Sequence, residues 1–399
     1  MKNGFSTAGL WTGSSDLREI AGWAKGLRQE LSPAKVDLGL LFLSPRYFEA
    51  AEDIVRSIRV SAEIPILIGC SSNSLIVGQE EIEDESGISL GLYSLPGAQL
   101  SPVRFLQSQI EEWNGAGYWR METGITPERI NGWLTFADPF SVDAERWLKQ
   151  WDDAFRGIPI LGGLASGDYA ARQTHIYLND QVYEEGGVAL AIGGDVELAG
   201  IISQGCTPIG ETWTITKTDT NIILEIGNRP AYEVLIETVS ALPLAEQAKT
   251  RGNLFIGLVM DEYRDEFQRG DFLIRNILEA DAETGVIAIG AIPRPGQTMQ
   301  FQRRDAEAST EDMTVLLRRA QNQLAGRRVL GGCLCSCNGR GHRLFGPIHH
   351  DASHVQQAFG PMGLAGFFCN GEIGPIGGHN FLHGYTASLA LFVERVRRA

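Results

Sequence analysis

"LLFLSPRYFEAAEDIVRSIRVSAEIPILIGCSS", residues 40–72, lies without a gap over "LTFADPFSVDAERWLKQWDDAFRGIPILGGLAS", residues 134–166. In that register Phe42 meets Phe136, Pro45 meets Pro139, the run Ile64–Leu67 meets Ile158–Leu161, Gly69 meets Gly163 and Ser72 meets Ser166. Turn residues and apolar runs agree at one offset of 94 residues, which marks an internal repeat. After each copy, Gly87–Phe105 resembles Gly187–Gly205, now at an offset of 100.

Each copy predicts strand, helix, strand and hairpin. Leu38–Leu43 is a short apolar run closed by Ser44-Pro45, as in a buried strand. Phe48, Ala51, Val55 and Ile58 recur at helical spacing. Ile64–Ile68 reads as a second strand ending at Gly69. A strand–helix–strand unit implies a parallel pair with a right-handed crossover, and the hairpin makes the sheet mixed. The fold class expected is therefore α/β, with mixed sheets flanked by helices and a duplicated unit in the N-terminal half. Phe42, Ile66, Phe136 and Ile160 are expected to be buried, and the two units to be related by a pseudo-twofold axis. The turns "GCSS" and "GLAS" follow the carboxyl ends of buried strands, where open α/β sheets bind ligands. Gly69, Ser71 and Ser166 are thus candidate ligand-binding residues, although tight turns alone would also explain the glycines. Cys70 has Leu164 as its counterpart, which argues against Cys70 as an obligatory nucleophile.

The chain has 399 residues, 43% hydrophobic and 21% charged, which is the composition of an ordinary globular protein of about two domains. A net charge of −15 argues against nucleic acid or an anionic membrane as partner. The N-terminus lacks the apolar core of a secretory signal. The uncharged stretch near the C-terminus is broken by His379, Asn380 and His383, so membrane insertion is not expected. Six cysteines in a chain of this size read as reduced thiols in a cytoplasmic protein.

In the second half, Thr212–Thr216, Asn221–Ile226, the run "NLFIGLVM", two segments within "GDFLIRNILEADAETGVIAIGA" and Gln297–Arg303 read as strands. Pro230 suits a helix start, with Ala231–Val239 following it. Glu311–Ala325 reads as a helix, Val329–Cys337 as a strand, Ser353–Phe359 as a short helix and Leu364–Phe368 as a strand. The pieces "IPILIGCSS", "GCTPIGETWTITKT", "GNRPAYEVL", "GDFLIRNIL", "MQFQRRDAEAS", "CSCNGRG" and "GLAGFFCNGEIGP" carry, in that order, a resemblance to FIST-domain proteins. The pattern departs at Gly384, where the family's asparagine is expected. The resemblance implies a FIST N-like region over residues 1–221, with repeats near 38–105 and 132–205, and a FIST C-like region over residues 222–399. It also implies an intracellular sensory module for a small ligand, with amino acids or their derivatives as the proposed class, and a signalling partner on a separate chain.

The segment Gly331–Gly346, "GGCLCSCNGRGHRLFG", concentrates the remaining chemistry. Six of the seven histidines fall between His342 and His383, close in sequence to Cys333, Cys335, Cys337 and Cys369. Alternate cysteines on one strand are spaced about 6.6 Å apart. Three such sulfurs cannot each lie about 2.3 Å from one zinc, so no metal and no cofactor is expected. A thiol enzyme would use Cys337, at a strand end within sequence reach of His342. The His349-His350 pair beside Asp351 reads as a polar loop. The pocket reading instead places Cys337, Asn338 and Arg340 after one strand and Asn370 and Glu372 after its neighbour, so that parallel pairing brings them to one crevice. There, Arg340 would grip a carboxylate and Glu372 an ammonium; an Arg340–Glu372 ion pair pinning two loops is the structural alternative. The sequence thus favours a ligand-binding sensory protein over two alternatives, a thiol-dependent enzyme on an amino-acid-like substrate and a protein-recruitment scaffold.

Overall fold

A computed structural model describes residues 4–83, 85–263, 266–267 and 270–396. The chain forms two compact units: residues 1–202 together with 316–399, and residues 203–315.

In the larger unit one strand pattern occurs three times. The first strand of each parallel pair, Leu38–Leu43, Gly132–Ala137 or Val329–Cys337, is joined through a helix to a second, Leu67–Ser71, Ile160–Leu164 or Leu364–Cys369. On its other side each first strand pairs antiparallel with a later strand: Ile88–Tyr93, Gly187–Gly194 or Ala387–Glu394. The hairpins are exchanged in a cycle. Leu75–Ile82 borders the third pair, Ile176–Tyr183 the first, and Glu372–His383 the second. Three six-stranded mixed sheets result. The pseudo-twofold relation expected from the sequence is therefore replaced by a threefold cyclic pairing in which residues 329–394 supply the third member.

Closeness of backbones sets the register. Leu41 lies opposite Gly69, Thr135 opposite Gly162, and Leu334 opposite Gly366. A Cβ on these glycines would sit 1.8, 1.9 and 2.0 Å from the facing carbonyl oxygen, so no side chain fits there. Thr135 comes 94 positions after Leu41, but Gly162 only 93 after Gly69. The second strands are thus one residue out of the sequence register. The first runs Leu67–Ser71 rather than Ile64–Ile68, because Pro65 precedes it and a proline has no ladder N–H to give. Ile66 consequently corresponds to Pro159 and is half-buried, whereas Phe42, Phe136 and Ile160 are fully buried.

Phe42, Phe136 and Phe367, one from each sheet, meet with ring centroids 4.8–5.6 Å apart at the centre of this unit. Helices cover the outer faces: Ile54, Val55 and Ile58 of Ala51–Ser61 pack on the first sheet, and Trp147, Leu148 and Trp151 of Ala144–Ala154 on the second.

In the smaller unit six antiparallel strands close into a ring. Cys206–Asp219 pairs with Thr298–Arg304, which is followed in the sheet by Leu254–Val259, Phe272–Asp281, Val286–Ile289 and Ile222–Ile226, and the last returns to Cys206–Asp219. The long strand shifts register between Ile209 and Trp213, around Gly210 at φ +67°, which lets it turn the barrel's corner. Ile215, Ile223, Ile256, Ile287 and Phe301 fill the interior together with Ala231 and Val234 of the helix Ala231–Ser240. Closure follows from alternation: one face of every strand is apolar, and a ring leaves no edge.

Candidate functional site at the strand ends

The carboxyl ends of the three second strands meet in a hydrogen-bonded triangle. Ser166 N donates to Ser71 O (3.2 Å), and Asn370 N to Leu164 O (3.1 Å). The third leg runs through a hydroxyl, with Asn73 N donating to Ser166 Oγ (3.1 Å) and Ser166 Oγ to Phe368 O (2.7 Å). Ser72 Oγ donates to the same carbonyl at 2.9 Å and lies 3.1 Å from Ser166 Oγ. Ser71 Oγ donates to Ser166 O at 2.8 Å and accepts from His175 N at 2.9 Å. Ser71, Ser72 and Ser166 are buried, and their hydroxyls are occupied in joining the three strand ends.

Cys337, Asn338, Asn370 and Glu372 lie beside this triangle. Cys337 and Cys369 are register partners at the end of the third parallel pair. Asn338 Nδ2 donates to Asn370 Oδ1 (2.7 Å), and Asn370 Nδ2 to Ala165 O (3.1 Å). Asn370 is exposed, Cys337 and Asn338 are half-buried, and Glu372 is fully buried. Glu372 Oε2 accepts from Thr386 N at 2.9 Å, and Oε1 accepts from Cys369 Sγ at 3.2 Å. The Cys337 thiol also donates to this carboxyl. Desolvation pushes the Glu372 carboxyl up to about 7, against the pull of these donors and of the Arg340 charge. Burial, and then the Glu372 charge, push the Cys369 thiol well up, so Cys369 is a neutral donor. In the other two sheets the position of Glu372 is taken by Leu75 and Ile176, so the fold itself does not require a carboxyl there.

Arg340 has a different partner from the one expected. Its fork is closed on Asp351, Nε to Oδ2 at 2.6 Å and Nη2 to Oδ1 at 2.8 Å, with both side chains buried. Ser336 Oγ donates to Asp351 Oδ2 (3.0 Å), and His350 Nδ1 lies 2.9 Å from Oδ1. Burial opposes ionisation of Asp351, yet the Arg340 charge and these hydrogen bonds hold it well below the usual carboxylate range. Asp351 stands in the first turn of the helix His350–Phe359 and is no loop residue, so the polar-loop reading of this segment gives way to a buried ion pair with Arg340. Glu81 lies alongside, with Oε1 accepting from Ala352 N (2.8 Å); desolvation and then the Asp351 charge raise it to about 7. Glu83 accepts from His342 N and faces His342 Nδ1, both at 2.8 Å.

The structure therefore brings Cys337, Asn338, Asn370 and Glu372 together, joins them to Ser71 and Ser166 through the triangle, and places Gly69 inside the first parallel pair. Arg340 is near enough for its charge to act on Glu372 but is engaged by Asp351. The sequence reading missed Asp351, Glu81 and Ser72. Only Ser72 carried a signal, its alignment with Ser166. Among the described residues no cluster of histidine, cysteine and carboxylate side chains is arranged to hold a metal ion. No helix among them is long and apolar enough to cross a membrane.

Residues 37–229 match the FIST N domain and residues 231–375 the FIST C domain. An uncharacterized protein of Mycobacterium tuberculosis is 36% identical over 388 residues, covering 97% of this chain and 99% of its own length. One of Mycobacterium bovis is 36% identical over 382 residues, covering 95% of this chain and 96% of its own. Among solved structures, a cyanuric acid hydrolase matches with a TM-score of 0.34 and 9% identity over 98% of this chain and 100% of the other. The cyanuric acid hydrolase of A. caulinodans matches with a TM-score of 0.32, 9% identity and coverage of 98% and 99%. These structural scores are too low to bear on fold or activity. FIST regions are in general ligand-binding modules of signal transduction. With the two domain matches spanning most of its length, this chain belongs to the FIST family.

Proposed function

We propose that this protein is a cytoplasmic small-ligand sensor whose ligand, an amino acid or a derivative, is read at the strand ends that bring Cys337, Asn338 and Asn370 beside Glu372. The observation that carries this reading is Glu372 itself: a fully buried carboxyl near neutrality, at the carboxyl ends of parallel strands, where the repeated pattern otherwise holds Leu75 and Ile176. Ionisable groups kept far from their ordinary titration range in such places mark functional sites. Glu372 would take the ligand's ammonium, and Asn338 and Asn370 would offer amides to its polar groups. Arg340 acts on the site through Asp351 and the buried field, while Gly69, Ser71 and Ser166 hold the strand ends in place.

An ammonium stabilises the ionised carboxylate, so binding should release a proton near neutrality and strengthen as pH rises through about 7. The test is a thermal-shift panel of free amino acids and their amine derivatives, run on the wild type and on Glu372→Gln. At least one compound should raise the wild-type Tm, more strongly above neutrality, and lose the effect in the variant without any turnover. A compound that stabilises both proteins equally would remove Glu372 from the site. Turnover abolished by Cys337→Ser would replace the sensor by a thiol enzyme.

A further inference from the structure

Cys337 and Cys369 are partners on the last rung of the third parallel pair. Cys333 and Cys335 of one strand and Ala365, Phe367 and Cys369 of the other lie in the central core, so odd-numbered residues of both strands face inward. Cys337 and Cys369 therefore leave the ladder on the same face. Neighbouring strands run about 4.8 Å apart, inside the range of roughly 4.4–6.8 Å that a disulfide spans between Cα atoms. Both thiols also meet one acceptor: Cys369 Sγ lies 3.2 Å from Glu372 Oε1, and the Cys337 thiol donates to the same carboxyl.

The fold does not call for sulfur here. Counted from the close approaches at Gly69, Gly162 and Gly366, the matching positions are Ser44 and Ser72 in the first pair and Asp138 and Ala165 in the second. The two sulfurs differ in access. Cys337 is half-buried, whereas the other cysteines are all buried. Gly339 N donates to Cys337 Sγ at 3.4 Å, which favours negative charge on that sulfur. Burial, and then the Glu372 charge, keep the Cys369 thiol protonated. An accessible, polarised sulfur beside a shielded one is the arrangement of an attacking and a resolving thiol.

We propose that Cys337 and Cys369 form a reversible redox pair, in which Cys337 takes an oxygen atom from a hydroperoxide and Cys369 closes the disulfide. In the first step the Cys337 thiol gives its proton to Glu372 and its sulfur bonds to one peroxide oxygen. The O–O bond breaks, and the departing oxygen takes up that proton and leaves as an alcohol or water. In the second step the Cys369 sulfur bonds to the Cys337 sulfur and the S–OH bond breaks. Hydroxide leaves as water with the Cys369 proton, again by way of Glu372. The two thiols lose two electrons, and the hydroperoxide gains them. The disulfide takes both S–H donors away from Glu372, so oxidation alters the carboxyl that the proposed ligand meets. The redox pair itself does not rest on that ligand.

The test treats the reduced full chain with one equivalent of hydrogen peroxide, then counts free thiols and maps disulfides by mass spectrometry of proteolytic peptides. The count should fall by about two from six, with one bridge joining Cys337 to Cys369, and dithiothreitol should reverse the change. Cys369→Ser should stop at a sulfenic acid on Cys337 that dimedone labels, and Cys337→Ser should keep its remaining thiols. Should either variant fail to fold, the wild-type map decides alone. A count that stays at six, or a bridge or oxidised sulfur on Cys70, Cys206, Cys333 or Cys335, would overturn the proposal. A bridge formed equally fast in Glu372→Gln would overturn the part assigned to Glu372 as proton acceptor.

Discussion

A carboxyl standing where Leu75 and Ile176 stand in the other two sheets has to be held against its own desolvation. Glu372 is raised from 4.5 to about 7 in the folded chain. Between those values the unfolded chain has lost the proton that the folded chain keeps, so this group makes stability fall as pH rises from about 4.5 to about 7. Glu81 is raised to about 7 as well and acts with the same sign. Glu372→Gln should therefore raise stability above neutrality by up to about 3 kcal/mol and change it little below about pH 4.5, as read by urea unfolding at several pH values. A variant less stable than wild type at alkaline pH would show that the hydrogen bonds of the carboxylate outweigh its desolvation. Arg340 and Asp351 behave oppositely. Asp351 is lowered, so its contribution is present above its ordinary range and is lost as pH falls through that range and below. Arg340→Ala leaves the Asp351 charge buried without its partner and should cost about 3–5 kcal/mol, while Arg340→Met combined with Asp351→Leu should recover most of that loss. Equal losses in the single and double variants would mean that packing, not charge, is at stake.

At the scale of elements, the strand ends depend on close backbone approach and on one hydroxyl. Gly366→Ala would drive a Cβ into Leu334 O, 2.0 Å away, and should destabilise by about 3 kcal/mol or more, because backbone has to move. Ser166→Ala removes the bridge between Asn73 N and Phe368 O and should cost about 1 kcal/mol in chemical denaturation, the net worth of an ordinary hydrogen bond, since Asn73 is exposed and Ser72 Oγ still meets the carbonyl. A neutral Ser166→Ala would mean that Asn73 N reaches Phe368 O directly, as the other two legs of the triangle do. Much of this level was legible. Leu38–Leu43, Ala231–Ser240 and the strands between 254 and 304 follow from apolar runs and turn residues. The slip of Leu67–Ser71 was not legible, because the Ile-Pro-Ile-Leu match conceals that Gly162, and not Gly163, takes the place of Gly69. Nor was the burial of Asp351. Two histidines and an aspartate look the same in a solvated loop as at the start of a helix whose partner, Arg340, approaches in space.

At the scale of the molecule, the repeat at residues 40–166 exposed two members of a pattern that has three. The third, 329–394, kept the backbone requirement at Gly366 but almost none of the side chains that would align it: Cys335 stands where Phe42 and Phe136 stand, and Phe367 where Cys70 stands. Ring closure of the smaller unit was equally out of reach, since it joins Cys206–Asp219 to Thr298–Arg304, pairings that no local periodicity records. The site inherits this history. Asn338, Cys337, Asn370 and Glu372 could be grouped from sequence because their two strands share one pattern of small residues followed by Asn-Gly, whereas Glu81 comes to the neighbourhood from the exchanged hairpin Leu75–Ile82. Reading of a small ligand at Glu372 can be checked by mass spectrometry of the small molecules released on denaturing natively purified protein, wild type against Glu372→Gln. An amine-bearing compound should be released in near-stoichiometric amount from the wild type and be absent from the variant. The same compound recovered in equal amount from both proteins would contradict it.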